Sequence, residues 1–223
     1  MRSPVGGLLG LCGLALAAWG GAGPATASAA TLEVTVLTSE GKGLAGAVVM
    51  LHALDPGGHP GAPVGAVMDQ VNLAFEPDVL VIPVGSTVSF PNTDSTSHQI
   101  YSFSSAHRFQ LPLYRGKPYP PEHFDKVGLV TLGCNIHDNM LAYIVVTDAP
   151  FFVRTGATGA WSASGVGRGR YRIELWHPRL RDDPVALARE ISVGEERAEI
   201  RIRLAKPLRP APLVGRPHSW DAY

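Results

Sequence analysis

Cysteine is nearly absent from this chain: of 223 residues only Cys12 and Cys134 are cysteines. Charge of one sign is also lacking, since 19 Lys+Arg balance 19 Asp+Glu. That balance gives no footprint for nucleic acid. Only one long apolar stretch is present, from Val5 to Trp19, and several glycines interrupt it. It is a poor permanent membrane span. Long helices are not expected, because Asn, Pro and Gly recur between short apolar runs. No nucleophile beside a base stands out, so an enzyme is not expected.

The apolar stretch has another use. Met1-Arg2 precedes it, and small residues ending Ala25-Thr26-Ala27-Ser28-Ala29-Ala30 follow. A basic start, a short apolar core and an A-x-A end form a secretory signal peptide, assigned to residues 1–30. Cleavage after Ala29 or Ala30 removes Cys12 and leaves roughly 190 residues, room for one large or two small domains. The expected location is periplasmic, with no membrane span after cleavage. Cys134 then has no internal disulfide partner in an oxidising compartment. A lone cysteine is a buried core residue, an intermolecular bridge or a ligand, and its neighbours decide.

Those neighbours are Gly133-Cys134-Asn135-Ile136-His137-Asp138-Asn139-Met140, with His98 upstream in Asn92-Thr93-Asp94-Ser95-Thr96-Ser97-His98. One thiolate, two imidazoles and one thioether are the donor set of a mononuclear blue-copper electron-transfer site. Cys-x2-His-x2-Met lets one short loop between strands bring three donors to a point. Taken singly, His98 reads as a strand residue and Met140 as core filler. His52, His59, His107, His123, His177 and His218 lack partners at metal spacing and read as surface or structural. His123 could still approach the site from its Pro-rich loop.

The remainder reads as β. Thr31–Leu37 alternates polar and apolar, as does Arg170–Trp176, with Tyr171, Ile173 and Leu175 on one face. In Ala198–Leu204 the inward residues are Ile200, Ile202 and Leu204. Other expected strands are 47–52, 67–73, 79–83, 87–90, 98–103, 108–111, 128–134, 141–146 and 189–193. The only helical turns expected lie near Val185–Arg189. Residues 55–63, rich in Gly and Pro, read as a linker, and 206–223 as a disordered or loosely docked tail.

Charge is unevenly spread. Residues 66–149 carry eight Asp+Glu against four Lys+Arg, and residues 150–223 carry eight against thirteen. Ordinary solvated surface accounts for this. An acidic metal-binding region docking a basic redox partner accounts for it too.

Val84–His98, with the strand at Ala74–Ile82 before it and Cys134, His137 and Met140 after it, resembles the cupredoxin family over residues 66–148. The short ligand loop is of the amicyanin and pseudoazurin form. The resemblance implies a Greek-key β-sandwich at residues 63–149 that holds copper, Cu(I) or Cu(II), through His98, Cys134, His137 and an axial Met140. It implies His137 as the electron port, and Asn92 and Thr93 as residues tying the first-histidine turn to the cysteine loop. Gln99 and Ile136 depart from the Asn and Pro common in the family. The run 90–152 also resembles plastocyanin-like proteins labelled methylamine-utilisation proteins.

Gly43–Leu51, with Thr158-Gly159-Ala160-Trp161 and Gly167–Ile173, is similar to the carboxypeptidase-regulatory-like (Ig-like) β-sandwich. The expected fold class is therefore all-β, with two sandwiches, the second made of residues 31–62 and 150–205 around an inserted cupredoxin. The alternative is a strand pair added to the cupredoxin plus a separate C-terminal domain. The function expected is single-electron transfer between redox proteins, with a cytochrome or periplasmic dehydrogenase as partner and a monomeric protein. A copper chaperone or sensor, or a structural module with a stabilising metal, are the alternatives.

Overall fold

The computed structural model describes residues 30–211, apart from Gly57, Lys117, Glu195 and Glu196. The proposed signal peptide, His218 and the last twelve residues lie outside the described residues. The described chain is all-β, with one short helix, Pro184–Leu187, capped by the Asp183 side chain. No helix among the described residues is long and apolar enough to cross a membrane.

Strand β1 (Ala30–Leu37) lies between β14 (Ala160–Val166), antiparallel, and β17 (Ala198–Arg203), parallel. A second sheet has the order β13 (Phe151–Arg154), β2 (Val48–Ala53), β15 (Gly169–Trp176) and β16 (Arg189–Val193). These two sheets enclose one apolar core. Leu32, Val34 and Val36 of β1 enter it from one side, and Val49, Leu51, Ile173 and Leu175 from the other. The alternation expected in β1 and β15 is the alternation observed. Residues 54–150 leave this pair of sheets and return to it.

Between those points two further sheets face one another. One has the order β6 (Val79–Pro83), β12 (Leu141–Thr147), β11 (Gly128–Gly133), β8 (His98–Phe103) and β9 (Arg108–Tyr114). The other has the order β10 (Glu122–Phe124), β7 (Ser86–Ser89) and β3 (Gly65–Val67). Their core is built on Phe90, Phe124, Ile100, Leu132 and Ile144, and it includes Cys134 and Met140.

The central strands β2 and β12 are packed on both faces. In β2, Val49 and Leu51 enter the first core, while Val48 and Met50 turn away from it. They meet Val79, Val145 and Ala149 in a third apolar cluster, edged by Tyr143, Phe152 and Trp176. A strand that packs two ways needs an unbroken apolar run, and Ala47–Leu51 is one. The same holds for β12, where Ile144 and Val146 serve one core and Val145 the other cluster.

One expected strand, residues 67–73, is broken. Met68 separates β3 from β4 (Asp69–Val71), which turns back on β5 (Ala74–Glu76) as a hairpin. Asn72 and Leu73 form its tip with φ of 51° and 59°. Two consecutive left-handed residues suit the tight turn that matches strand twist, a turn usually made with glycine. The tail from Lys206 is docked as far as it is described: Arg209 N–H donates to Arg179 O at 2.8 Å, and Arg179 Nε to Arg209 O at 2.6 Å.

Candidate metal centre

Strand neighbours bring the donors together. β8 and β11 are antiparallel, with Tyr101 opposite Gly133, so the start of β8 lies beside the end of β11. His98 is the first residue of β8, and Cys134 follows β11 directly. Gly133 also pairs with Leu141, so residues 134–140 are the connecting loop of the β11–β12 hairpin. Met140 N–H donates to His137 O at 2.9 Å, which tightens that loop. Gly133 has no Cβ for a reason: one built there would lie 2.8 Å from the Tyr101 ring.

His98 Nδ1 and His137 Nδ1 are 3.0 Å apart, and Cys134 Sγ lies 3.9 Å from the first and 3.7 Å from the second. His98, Cys134 and His137 are the one His/Cys/Asp/Glu group among the described residues able to hold a metal ion. His98, Cys134 and Met140 are buried, whereas His137 is half-buried beside Ile136, which is 49% exposed. Burial, then the neighbouring His98, depresses the His137 pKa, against an opposing pull from Asp94. The imidazole is thus held in the neutral form that a metal requires.

The outer ring of the site differs in part from expectation. Asn92 does hold the first-histidine turn: its Nδ2 donates to Thr96 O at 3.0 Å and its Oδ1 accepts from Asp94 N–H at 3.0 Å. Its other tie runs to β9, from Nδ2 to Tyr114 O at 2.9 Å, and not to the cysteine loop as expected. Thr93 points elsewhere, its hydroxyl donating to Asp69 Oδ2 at 2.9 Å. The residue that touches a candidate ligand is Asp94, whose Oδ2 is 3.0 Å from His98 Nε2. Leu73 N–H, donating at 2.7 Å, is the main force holding the Asp94 carboxyl below its ordinary pKa; burial opposes it, and His98 and Ser95 N–H add to it.

The other described histidines stay apart from this cluster. His107 pairs with Glu122 at 3.1 Å and packs on Phe109 and Phe124. His52 meets Asp148 at 3.0 Å, where the two pairs of sheets adjoin. His177 is buried, and its Nδ1 accepts from Arg179 N–H. His59 is exposed, and so is His123, which lies on β10 in the opposite sheet.

Tyr114, opposite His98 in the sheet, anchors this end of the core. Its hydroxyl donates to Phe90 O at 2.6 Å and accepts from Gln70 Nε2 at 2.5 Å. Burial pushes its pKa up to about 12, against the Gln70 bond. A folded-state pKa above the unfolded value of about 10 gives stability that is complete below pH 10. That stability is lost as the pH rises through about 12, a fall of about 2–3 kcal/mol. Denaturant midpoints between neutral and strongly alkaline pH will show the fall. Tyr114→Phe removes this contribution to it and costs about 1–3 kcal/mol at neutral pH by stranding buried polar partners.

No protein-family model matches the chain, and no curated protein matches it. Solved structures do. A purple cupredoxin from Nitrosopumilus maritimus is 25% identical over 37% of this chain and 99% of its own, with a TM-score of 0.33. A Cu-containing nitrite reductase from Thermus scotoductus is 28% identical, with a TM-score of 0.36, over 43% of this chain but only 25% of its own length. A single-site amicyanin variant in its reduced state is 20% identical over 44% of this chain and 99% of its own, at a TM-score of 0.34. The scores are low, and the metal centre stands on its own donor geometry.

Proposed function

We propose that this protein is a mononuclear copper electron carrier, with His98, Cys134 and His137 as equatorial ligands and Met140 as a weak axial one. The observation that supports it is the triangle of Nδ1, Nδ1 and Sγ. Separations of 3.0, 3.7 and 3.9 Å leave a point in the common plane about 2.0 Å from both nitrogens and about 2.2 Å from sulfur. Those lengths are near metal–imidazole and metal–thiolate bonds. Two imidazoles, a thiolate and a thioether suit copper in both its oxidation states, which supplies one-electron chemistry.

The chain's residues do the rest. Strand ends fix His98 and Cys134, so the donors need little rearrangement when the charge changes. The apolar core around Cys134 and Met140 excludes water. Half-buried His137, beside exposed Ile136, offers the way out for an electron to a redox protein such as a cytochrome or a dehydrogenase. Four protein ligands leave no open position for a substrate, so the protein is not an enzyme. It works outside the cytoplasm after export. We further propose that residues 63–149 form the copper domain, inserted into a carboxypeptidase-regulatory-like sandwich of residues 31–62 and 150–205.

Voltammetry of the copper-loaded protein tests the carrier reading against a copper chaperone. A carrier gives a reversible one-electron wave over repeated cycles with copper retained. Loss of copper on each reduction or oxidation would replace the carrier with the chaperone.

A further inference from the structure

Asp94 stands where several independent constraints meet. Its Oδ2 faces His98 Nε2 at 3.0 Å and also accepts Leu73 N–H at 2.7 Å, while Oδ1 accepts Ser95 N–H at 2.7 Å. Its own N–H is held by Asn92 Oδ1. His98 is fully buried, and the Asp94 side chain is only 9% exposed.

The hairpin β4–β5 is what delivers Leu73. Asp69 binds Thr93 through N–H and hydroxyl, at 3.2 and 2.9 Å. Gln70 bridges to Asn92 along the backbone, and its Nε2 donates to Pro91 O at 2.9 Å. The hairpin is therefore clamped against the turn that carries Asp94. Its tip puts Leu73 at φ 59°, a left-handed conformation that residues with a side chain rarely adopt. Strain of this kind persists where surrounding contacts over-determine it. Here the contact made at the strained residue is the hydrogen bond to the carboxylate that faces His98.

A protonation pattern follows. A carboxylate only accepts, so His98 donates from Nε2, and in a neutral ring its Nδ1 is then the bare acceptor. His98 Nδ1 and His137 Nδ1 are 3.0 Å apart, so the proton between them belongs to His137.

We propose that Asp94 is the positioning residue of this centre: backed by the Asn72–Leu73 turn, it keeps the His98 proton on Nε2 and turns Nδ1, unprotonated, toward Cys134 and His137 before a metal arrives. This rests on the copper reading for its purpose, but its signature is visible without copper. To offer Nδ1 to a metal, neutral His137 would have to change tautomer, its proton leaving Nδ1 for solvent and another taken up at Nε2, and Cys134 would release its thiol proton, whereas His98 would keep its tautomer.

The test is nitrogen-resolved NMR of the imidazole rings in the metal-free full chain. The wild type should show His98 as the neutral Nε2–H form and His137 as the Nδ1–H form. His98 found as Nδ1–H, or doubly protonated, overturns the proposal without any variant having to fold. Asp94→Asn keeps size and removes the charge, and should mix the two His98 tautomers and weaken copper binding about 10–100-fold. An unchanged His98 tautomer in folded Asp94→Asn also overturns it. Leu73→Gly keeps the N–H and suits a positive φ, so His98 should keep its tautomer. If the wild type has the expected tautomers yet takes up no copper, the copper reading fails and the positioning role of Asp94 stands.

Discussion

Cys134→Ser should abolish the visible charge-transfer band that the proposed copper site gives the copper-loaded protein. The band requires a thiolate bonded to Cu(II), and Cys134 is the only cysteine among the described residues, lying beside the two imidazoles. The substitution is close to isosteric, so the sheets survive. Its stability cost is about 1–3 kcal/mol for a hydroxyl placed where a 4%-exposed thiol packs among Leu132, Met140 and Ala142. His98 and His137 remain, and Cu(II) can still bind them, but as a pale nitrogen-ligated centre whose affinity is lower. Absorption spectra of wild type and variant at equal copper occupancy read the difference directly. A variant that keeps the intense band would show that the thiolate is not a ligand.

The second large effect concerns the core away from the candidate metal site. Leu51→Ala should lower stability by about 2–5 kcal/mol, because it empties a fully buried site between two sheets. In the folded fraction, the copper spectrum should not move. Leu51 enters the core of β1, β14 and β17, whereas Cys134 and Met140 belong to the core of β8, β11 and β12. Between the two lies the third cluster, in which Val48 and Met50, on the opposite face of β2, meet Val79 of β6 and Val145 of β12. Denaturation monitored in parallel by tryptophan fluorescence and by the copper band checks this. A shifted spectrum in folded Leu51→Ala would mean that the flanking sheets shape the metal site.

The legible parts of this chain are those in which one residue does one job. Alternating Leu32, Val34 and Val36, or Tyr171, Ile173 and Leu175, face one core, and their period shows it. Cys134 and His137 share one loop, and their spacing puts the thiol and the imidazole within 3.7 Å of one another. Ala47–Leu51 was legible as a strand but not as a strand with two packed faces, because an apolar run does not say what covers it. Nothing in the sequence marks the hairpin tip, because Asn72-Leu73 takes a left-handed turn without a glycine. β10 hides in a proline-rich segment beginning at Pro118. The role of Asp94 leaves no sequence mark for a different reason: one of the groups that orients it is a backbone N–H contributed 21 residues earlier, and backbone groups leave no trace in a sequence pattern.

The most direct test of the central claim is one equivalent of Cu(II) added to the reduced, metal-free protein, followed by visible and paramagnetic-resonance spectra. Bonding of the Cys134 thiolate and both imidazoles predicts an intense band in the red region and the narrow copper hyperfine splitting of a thiolate-bonded centre. A colourless protein, or the wide splitting of copper held by nitrogen and oxygen alone, would contradict it.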